Sequence, residues 1–194
     1  MAPSAIEWIE AHCANLQIQV VSTLRAVDPA APSTLYAGVF RNVYKSLDGG
    51  ENWAPASSGL PSGCGDRVYA LLVDPTDSTV VYAGGNFGDC PVSGGVYKST
   101  DGGGMWSRSL ANPTLCLAID PSAPSILYAG TTNGPYKTTD GGGAWQRMSD
   151  GLPPSTGVRA LAVDPMTPST VYAGTDGFAP DSFIAKIGPG GAKQ

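Results

Sequence analysis

Ala160-Leu-Ala-Val-Asp164-Pro-Met-Thr-Pro-Ser-Thr-Val-Tyr172-Ala-Gly174 is an apolar run, an Asp-Pro stop and a second β-rich run. The same string stands at Arg25–Gly38, Ala70–Gly84 and Cys116–Gly130. Its aspartates fall at Asp28, Asp74, Asp120 and Asp164, and its tyrosines at Tyr36, Tyr82, Tyr128 and Tyr172, both with spacings of 46, 46 and 44. A fixed period of this length marks a repeat architecture. Within one unit, Leu161-Ala162-Val163 reads as a short buried strand. Pro165 cannot donate to a ladder, so the chain turns there. Thr170–Gly174 reads as the second strand. Val96-Tyr97-Lys98-Ser99 reads as a third, closed by an Asp-Gly-Gly turn, and Trp106 opens a fourth.

Four antiparallel strands per repeat describe a β-propeller blade, which buries both faces only by stacking on its neighbours. The expected fold is all-β, with about four blades whose repeats start near 25, 70, 115 and 159. The turn after each third strand has a pattern of its own: Ser46-x-Asp48-x-Gly50-x-x-Trp53, Ser99-x-Asp101-x-Gly103-x-x-Trp106 and Thr138-x-Asp140-x-Gly142-x-x-Trp145. The carboxylate is placed to accept backbone N–H groups across the turn, Gly supplies a positive φ, and Trp covers the turn.

These elements resemble the Asp-box, or BNR, repeat over residues 25 to about 177. Propellers of that kind occur in bacterial sialidases, xyloglucan-cleaving enzymes, sortilin-like proteins and photosystem II assembly factors. The resemblance implies a propeller with the boxes at its outer rim, so Asp48, Asp101 and Asp140 are expected to be structural. It also implies a secreted or periplasmic setting. The chain itself reads as having no secretory leader: its first positive side chain is Arg25, and Glu7 and Glu10 interrupt the only early apolar stretch.

The last repeat departs from the pattern. Asp181-Ser-Phe-Ile-Ala-Lys186-Ile-Gly-Pro-Gly-Gly191 keeps a lysine in register with Lys45, Lys98 and Lys137, but no Asp or Trp follows. The fourth blade therefore lacks its own outer strand. Leu16–Val21 alternates apolar and polar residues and is a candidate to supply it, closing a four-bladed ring. A fragment of a larger propeller, or half of one completed by a dimer, is the competing expectation. Before it, Ser4-Ala-Ile-Glu7 is a capping box, and Ile6, Ile9, Cys13 and Leu16 share a helical face. Residues 1–15 are thus read as a helical segment and 16–194 as the propeller.

Composition narrows the function. With 11 Lys and Arg against 16 Asp and Glu, a net charge of −5 and no basic run, the chain has no nucleic-acid footprint. No apolar stretch nears the ~20 residues of a membrane helix. Loops that break the repeat carry the functional expectation. Ser62–Arg67 and Gly85–Pro91 are insertions in blade 2, and strand counting places both on one face. That face should also carry Arg41, Asn42, Asp66, Arg67, Asn86, Phe87, Asp89, Asn133, Arg159 and Asp176, a polar rim suited to a protein or glycan. Cys64 and Cys90 could meet there as a disulfide, or stand as two free thiols. Their separation of 26 is not a zinc spacing, and no metal or cofactor is expected.

Enzyme readings meet obstacles. Sialidases clamp a carboxylate with three arginines, and only Arg67 and Arg159 are placed for that. Glycoside cleavage needs two carboxylates, and Asp66 and Asp89 are the only inserted pair. Serine or cysteine hydrolysis needs a histidine, and the single one is His12. The sequence leans toward a noncatalytic binding or assembly module, with a glycoside hydrolase or a fragment of one as the alternative.

Overall fold

The computed structural model describes residues 24–40, 42–61, 67–86, 94–148, 152, 156–175 and 184–187. These form fifteen strands. Sheet 1 holds β1 (Leu24–Val27), β2 (Leu35–Val39), β3 (Asn42–Ser46) and β4 (Ala54–Pro55). Sheet 2 holds β5 (Arg67–Asp74), β6 (Asp77–Asn86), β7 (Gly95–Ser99) and β8 (Ser107–Leu110). Sheet 3 holds β9 (Thr114–Ile119), β10 (Leu127–Thr131), β11 (Gly134–Thr138) and β12 (Gln146–Arg147). Sheet 4 holds β13 (Val158–Val163), β14 (Val171–Thr175) and β15 (Ile184–Ile187). Every pairing is antiparallel between consecutive strands, as in propeller blades. The helix expected before residue 16, the strand expected at 16–21 and the ring closure it would make lie outside the described residues. Among those described, no helix is long and apolar enough to cross a membrane.

The inner strands contact each other in turn, β1 with β5, β5 with β9 and β9 with β13. Three apolar layers fill the spaces between sheets. Tyr36, Val43, Val68, Val81 and Trp106 lie between sheets 1 and 2. Tyr82, Val96, Leu110 and Leu127 lie between sheets 2 and 3, and Tyr128, Val158, Val171 and Ile187 between sheets 3 and 4. Each such side chain, fully buried, contributes about 1.5–3 kcal/mol. The glycines of the first three Tyr-Ala-Gly elements, Gly38, Gly84 and Gly130, explain why the sheets approach so closely. A Cβ on Gly84 would meet Thr114 Cγ2 at 2.8 Å, and one on Gly130 would meet the Val158 carbonyl at 2.7 Å.

The turns follow their local chemistry. Asp48 Oδ1 accepts the Asn52 N–H at 2.9 Å, Asp101 Oδ1 that of Met105 at 2.9 Å, and Asp140 Oδ1 that of Ala144 at 3.0 Å. The Ser46, Ser99 and Thr138 hydroxyls each donate to the same carboxylate at 2.7 Å. Those hydroxyl oxygens also accept the N–H of Gly50, Gly103 and Gly142. Gly50, Gly103 and Gly142 have φ of 98°, 89° and 90°. The Asp-Pro aspartates make smaller turns of the same kind: Asp28 Oδ1 accepts from Ala30 at 2.9 Å and Asp164 Oδ1 from Met166 at 2.9 Å.

These bonds favour the charged carboxylate. The Asn52 N–H, then the Asn52 side-chain amide and the Ser46 hydroxyl, pull the Asp48 pKa down to about 2. Asp101 and Asp140 are lowered chiefly by the Met105 and Ala144 N–H groups. A carboxylate depressed in the folded state stabilises fully above its unfolded pKa, about 4. That contribution is lost as pH falls through the folded value. The melting temperature is therefore expected to drop between about pH 4 and pH 2, and Asp48→Asn should flatten that slope. A slope unchanged in the variant would contradict the assignment.

Candidate functional site

The acidic turns do more than stop strands: they join the sheets. Tyr36 Oη donates to the Gly102 carbonyl at 3.1 Å and Lys45 Nζ donates to the same oxygen at 2.9 Å. Tyr82 Oη and Lys98 Nζ hold the Gly141 carbonyl in the same way, at 3.0 and 2.8 Å. Tyr36 pairs with Lys45 across β2 and β3, and Tyr82 with Lys98 across β6 and β7. In both pairs the ammonium also sits over the tyrosine ring, at 5.3 and 5.6 Å from its centre. A tyrosine–lysine clamp on one sheet thus grips the acidic turn of the next. Burial, then Asp28 and Asp101, raise the Tyr36 pKa to about 12, so the clamp hydroxyl stays protonated. Two of the lysines that recur in register, Lys45 and Lys98, thus serve as turn partners in these junctions.

The tryptophans act across the same junctions. Trp106 is 3% exposed, and its indole N–H donates to the Ala56 carbonyl of sheet 1 at 2.8 Å. Trp145 donates to Ser109 Oγ of sheet 2 at 2.8 Å. Trp53 donates to Gly50 in its own turn at 3.0 Å. The acidic turns are therefore occupied with structure, and Asp48, Asp101 and Asp140 face solvent at the sheet-outer end of their blades.

The opposite possibility lies where β2 meets β3 and where each sheet leads into the next. The Val68 N–H donates to the Phe40 carbonyl at 2.7 Å, and the Thr132 N–H to the Pro113 carbonyl at 3.1 Å. These bonds draw the two kinds of connection to one edge. Asn42 opens β3, and Arg67 opens β5 opposite Asn86; Asn42 and Arg67 are exposed. Asn133 occupies the β10–β11 turn, exposed, with its carbonyl accepting Arg147 Nε at 3.1 Å. Arg159 is exposed near the start of β13. Arg41, Asp66, Phe87, Asp89, Asp176, Cys64 and Cys90 lie outside the described residues, as does the side chain of Asn86.

Two features of this edge escape a reading of the sequence. The first is a repeated register break. Val68 pairs with Gly85 and Ala70 with Gly84, so Tyr69 is extra. Thr114 pairs with Thr131 and Cys116 with Gly130, leaving Leu115 over. Val158 pairs with Thr175 and Ala160 with Gly174, leaving Arg159 over. A bulge re-aims one side chain and often lies beside a functional site. Here it presents three different residues at one point of three successive inner strands. The second is Phe40, 51% exposed with φ of 50°. A bulky non-glycine residue in that region is an outlier costing about 1–3 kcal/mol. Cys116, by contrast, is inert: burial pushes its thiol up to about 12. Among the described residues no group of three acidic, histidine or cysteine side chains could hold a metal.

No known family profile matches the chain, and no curated protein does. Solved structures do match. An ancestral GH74 enzyme superposes with a TM-score of 0.65 at 20% identity, over 84% of this chain and 23% of that one. The GH74 enzyme of Niastella koreensis gives 0.63 at 23% identity, over 84% and 28%. YCF48 bound to D1 peptide gives 0.54 at 19% identity, over 81% and 48%. The chain thus spans about a quarter of the length of the GH74 structures and about half of YCF48. At these identities the likeness defines the class alone: the chain is a β-propeller of stacked four-stranded blades, in company with both enzymes and binding proteins.

Proposed function

We propose that this chain is a noncatalytic Asp-box propeller segment that binds a protein or glycan through the edge where the β2–β3 turn and the inner-strand bulges meet. The carrying observation is the bulge set. Tyr69, Leu115 and Arg159 differ in chemical class between flanks that stay β-branched (Val68, Thr114, Val158) and small (Ala70, Cys116, Ala160), and bulges at one edge of a rigid scaffold serve recognition. Phe40 supports the reading, since a strained, exposed aromatic is costly to keep without a use. Arg67 and Asn42 add polar groups beside it. YCF48, a propeller of this class, is solved with the D1 peptide, which favours a peptide as ligand. The second reading is a glycoside hydrolase or a part of one, favoured by the GH74 likeness.

The test is a panel of immobilised peptides, plant polysaccharides and sialosides, probed with wild type and with Phe40→Gly and Arg67→Ala. Ligands retained by the wild type should bind at least tenfold more weakly to each variant. Phe40→Gly should at the same time keep or raise the melting temperature, because glycine adopts a positive φ without strain. Equal binding by wild type and both variants would exclude this edge as the recognition surface.

A further inference from the structure

Among the described residues the clamp-and-turn junction leaves an ungripped turn at one end of the row of sheets and an exposed clamp at the other; the remaining pair, Tyr128–Lys137, has its ammonium 5.4 Å from the ring centre and its tyrosine buried between sheets 3 and 4. A Cβ on Gly102 would meet Lys45 Nζ at 2.8 Å, and one on Gly141 would meet Lys98 Nζ and Tyr82 Oη at 3.5 Å. Gly49, the equivalent residue of the first acidic turn, has nothing within 4 Å of its Cβ position. The first turn is complete but ungripped. Trp53 shows the same condition, donating within its own turn where Trp106 and Trp145 reach the preceding sheet.

The other end carries the unused clamp. Tyr172 pairs with Lys186 across β14 and β15 in the register that Tyr36–Lys45 and Tyr82–Lys98 occupy. Tyr36 and Tyr82 are buried at 0% and 1%, whereas Tyr172 is 43% exposed, and Lys186 is exposed too. Gly174 agrees. Gly38, Gly84 and Gly130 each lie against the inner strand of the following sheet, through Val68, Thr114 and Val158. Among the described residues, a Cβ on Gly174 would touch Ala160 of its own sheet alone, at 3.4 Å. Among the described residues, β13 and β1 lack the packing that joins β1–β5, β5–β9 and β9–β13.

We infer that the Tyr172–Lys186 face of sheet 4 grips the Gly49 turn of a second copy of this chain, forming a head-to-tail junction of the kind found twice within the molecule. Each copy offers one exposed clamp and one exposed turn, so two copies satisfy both junctions at once around a two-fold axis. The occupant is a second copy because it carries both missing halves in the chemistry that the internal junctions already use. This assembly is independent of the ligand reading above.

The experiment is sedimentation velocity on the full chain with one variant at each end. Lys186→Glu removes the clamp cation at an exposed position. Gly49→Asn places a side chain in the clamp's path, in open space and in a residue type that tolerates a positive φ. Both should keep the far-ultraviolet circular dichroism of the wild type. The wild type is expected to be a dimer, and each variant alone a monomer, with dissociation constants raised at least tenfold. An equimolar mixture should recover a dimer, because one intact clamp then meets one intact turn. A wild type that stays monomeric at its highest soluble concentration overturns the inference, as does a dimer that neither variant weakens. A monomer whose melting temperature falls in both variants also overturns it, and assigns the turn to the chain's own fourth sheet.

Discussion

Gly130→Ala is expected to lower stability by about 3 kcal/mol, near the upper end for added bulk in a packed interior. The new methyl group would be driven into the Cys116 sulfur, the Val158 carbonyl at 2.7 Å and Val158 Cγ1 at 2.8 Å. Two of these partners belong to different sheets, and a backbone carbonyl cannot rotate away as a side chain does. The spacing of sheets 3 and 4 would have to open. For a chain of this size each kcal/mol is about 2–4 °C, so the melting temperature should fall by roughly 6–12 °C. Gly84→Ala should cost less, because its nearest obstacle is the Thr114 methyl at 2.8 Å, and Gly38→Ala least, with Val68 Cβ and Cγ1 at 3.0 Å. Thermal melts of the three variants test the ranking. Equal melting temperatures would show that sheet spacing is not set by these glycines.

Trp106→Ala is the second large effect, about 4 kcal/mol. The side chain is 3% exposed and packs among Tyr36, Val43 and Val81 between sheets 1 and 2. Its loss removes a large apolar surface and leaves the Ala56 carbonyl without its 2.8 Å donor. Trp106→Phe separates the two causes: it keeps most of the packing and loses the bond, for about 1–2 kcal/mol. Trp53→Ala should cost clearly less than Trp106→Ala, because Trp53 is only partly buried and bonds within its own turn. Denaturant unfolding of the three proteins measures this. A Trp53 effect as large as that of Trp106 would contradict the view that the tryptophans act mainly between sheets.

Much of this architecture is legible in the sequence because its determinants are local. Asp-Pro stops a strand, Ser-x-Asp-x-Gly builds a turn from its own backbone, and both recur at one period. The strands and turns of three repeats follow from that. What joins the repeats is not local. Trp106 reaches Ala56, and Lys45 reaches Gly102, across distances in sequence that no periodic pattern reveals. The lysine register was visible, but its partner carbonyl was not. The candidate site divides the same way. Asn42, Arg67, Asn133 and Arg159 could be placed on one edge by counting strands. Tyr69 could not be distinguished, because a bulge is a property of pairing, and alternation within one strand does not record it. Phe40 was missed for a related reason: nothing in Val39-Phe40-Arg41 announces a positive φ. Comparing the residue between Val68 and Ala70 with its counterparts Leu115 and Arg159 was the one available signal, since it changes from aromatic to aliphatic to cationic while its neighbours stay β-branched on one side and small on the other.

Binding without hydrolysis is the central claim, and reducing-end release from plant polysaccharides and sialosides tests it most directly. Purified, folded protein should release nothing above the blank from any substrate, while the same preparation retains a ligand on the Phe40–Arg67 edge. Release that disappears in Asp66→Asn or Asp89→Asn would contradict the account and make the chain a glycosidase.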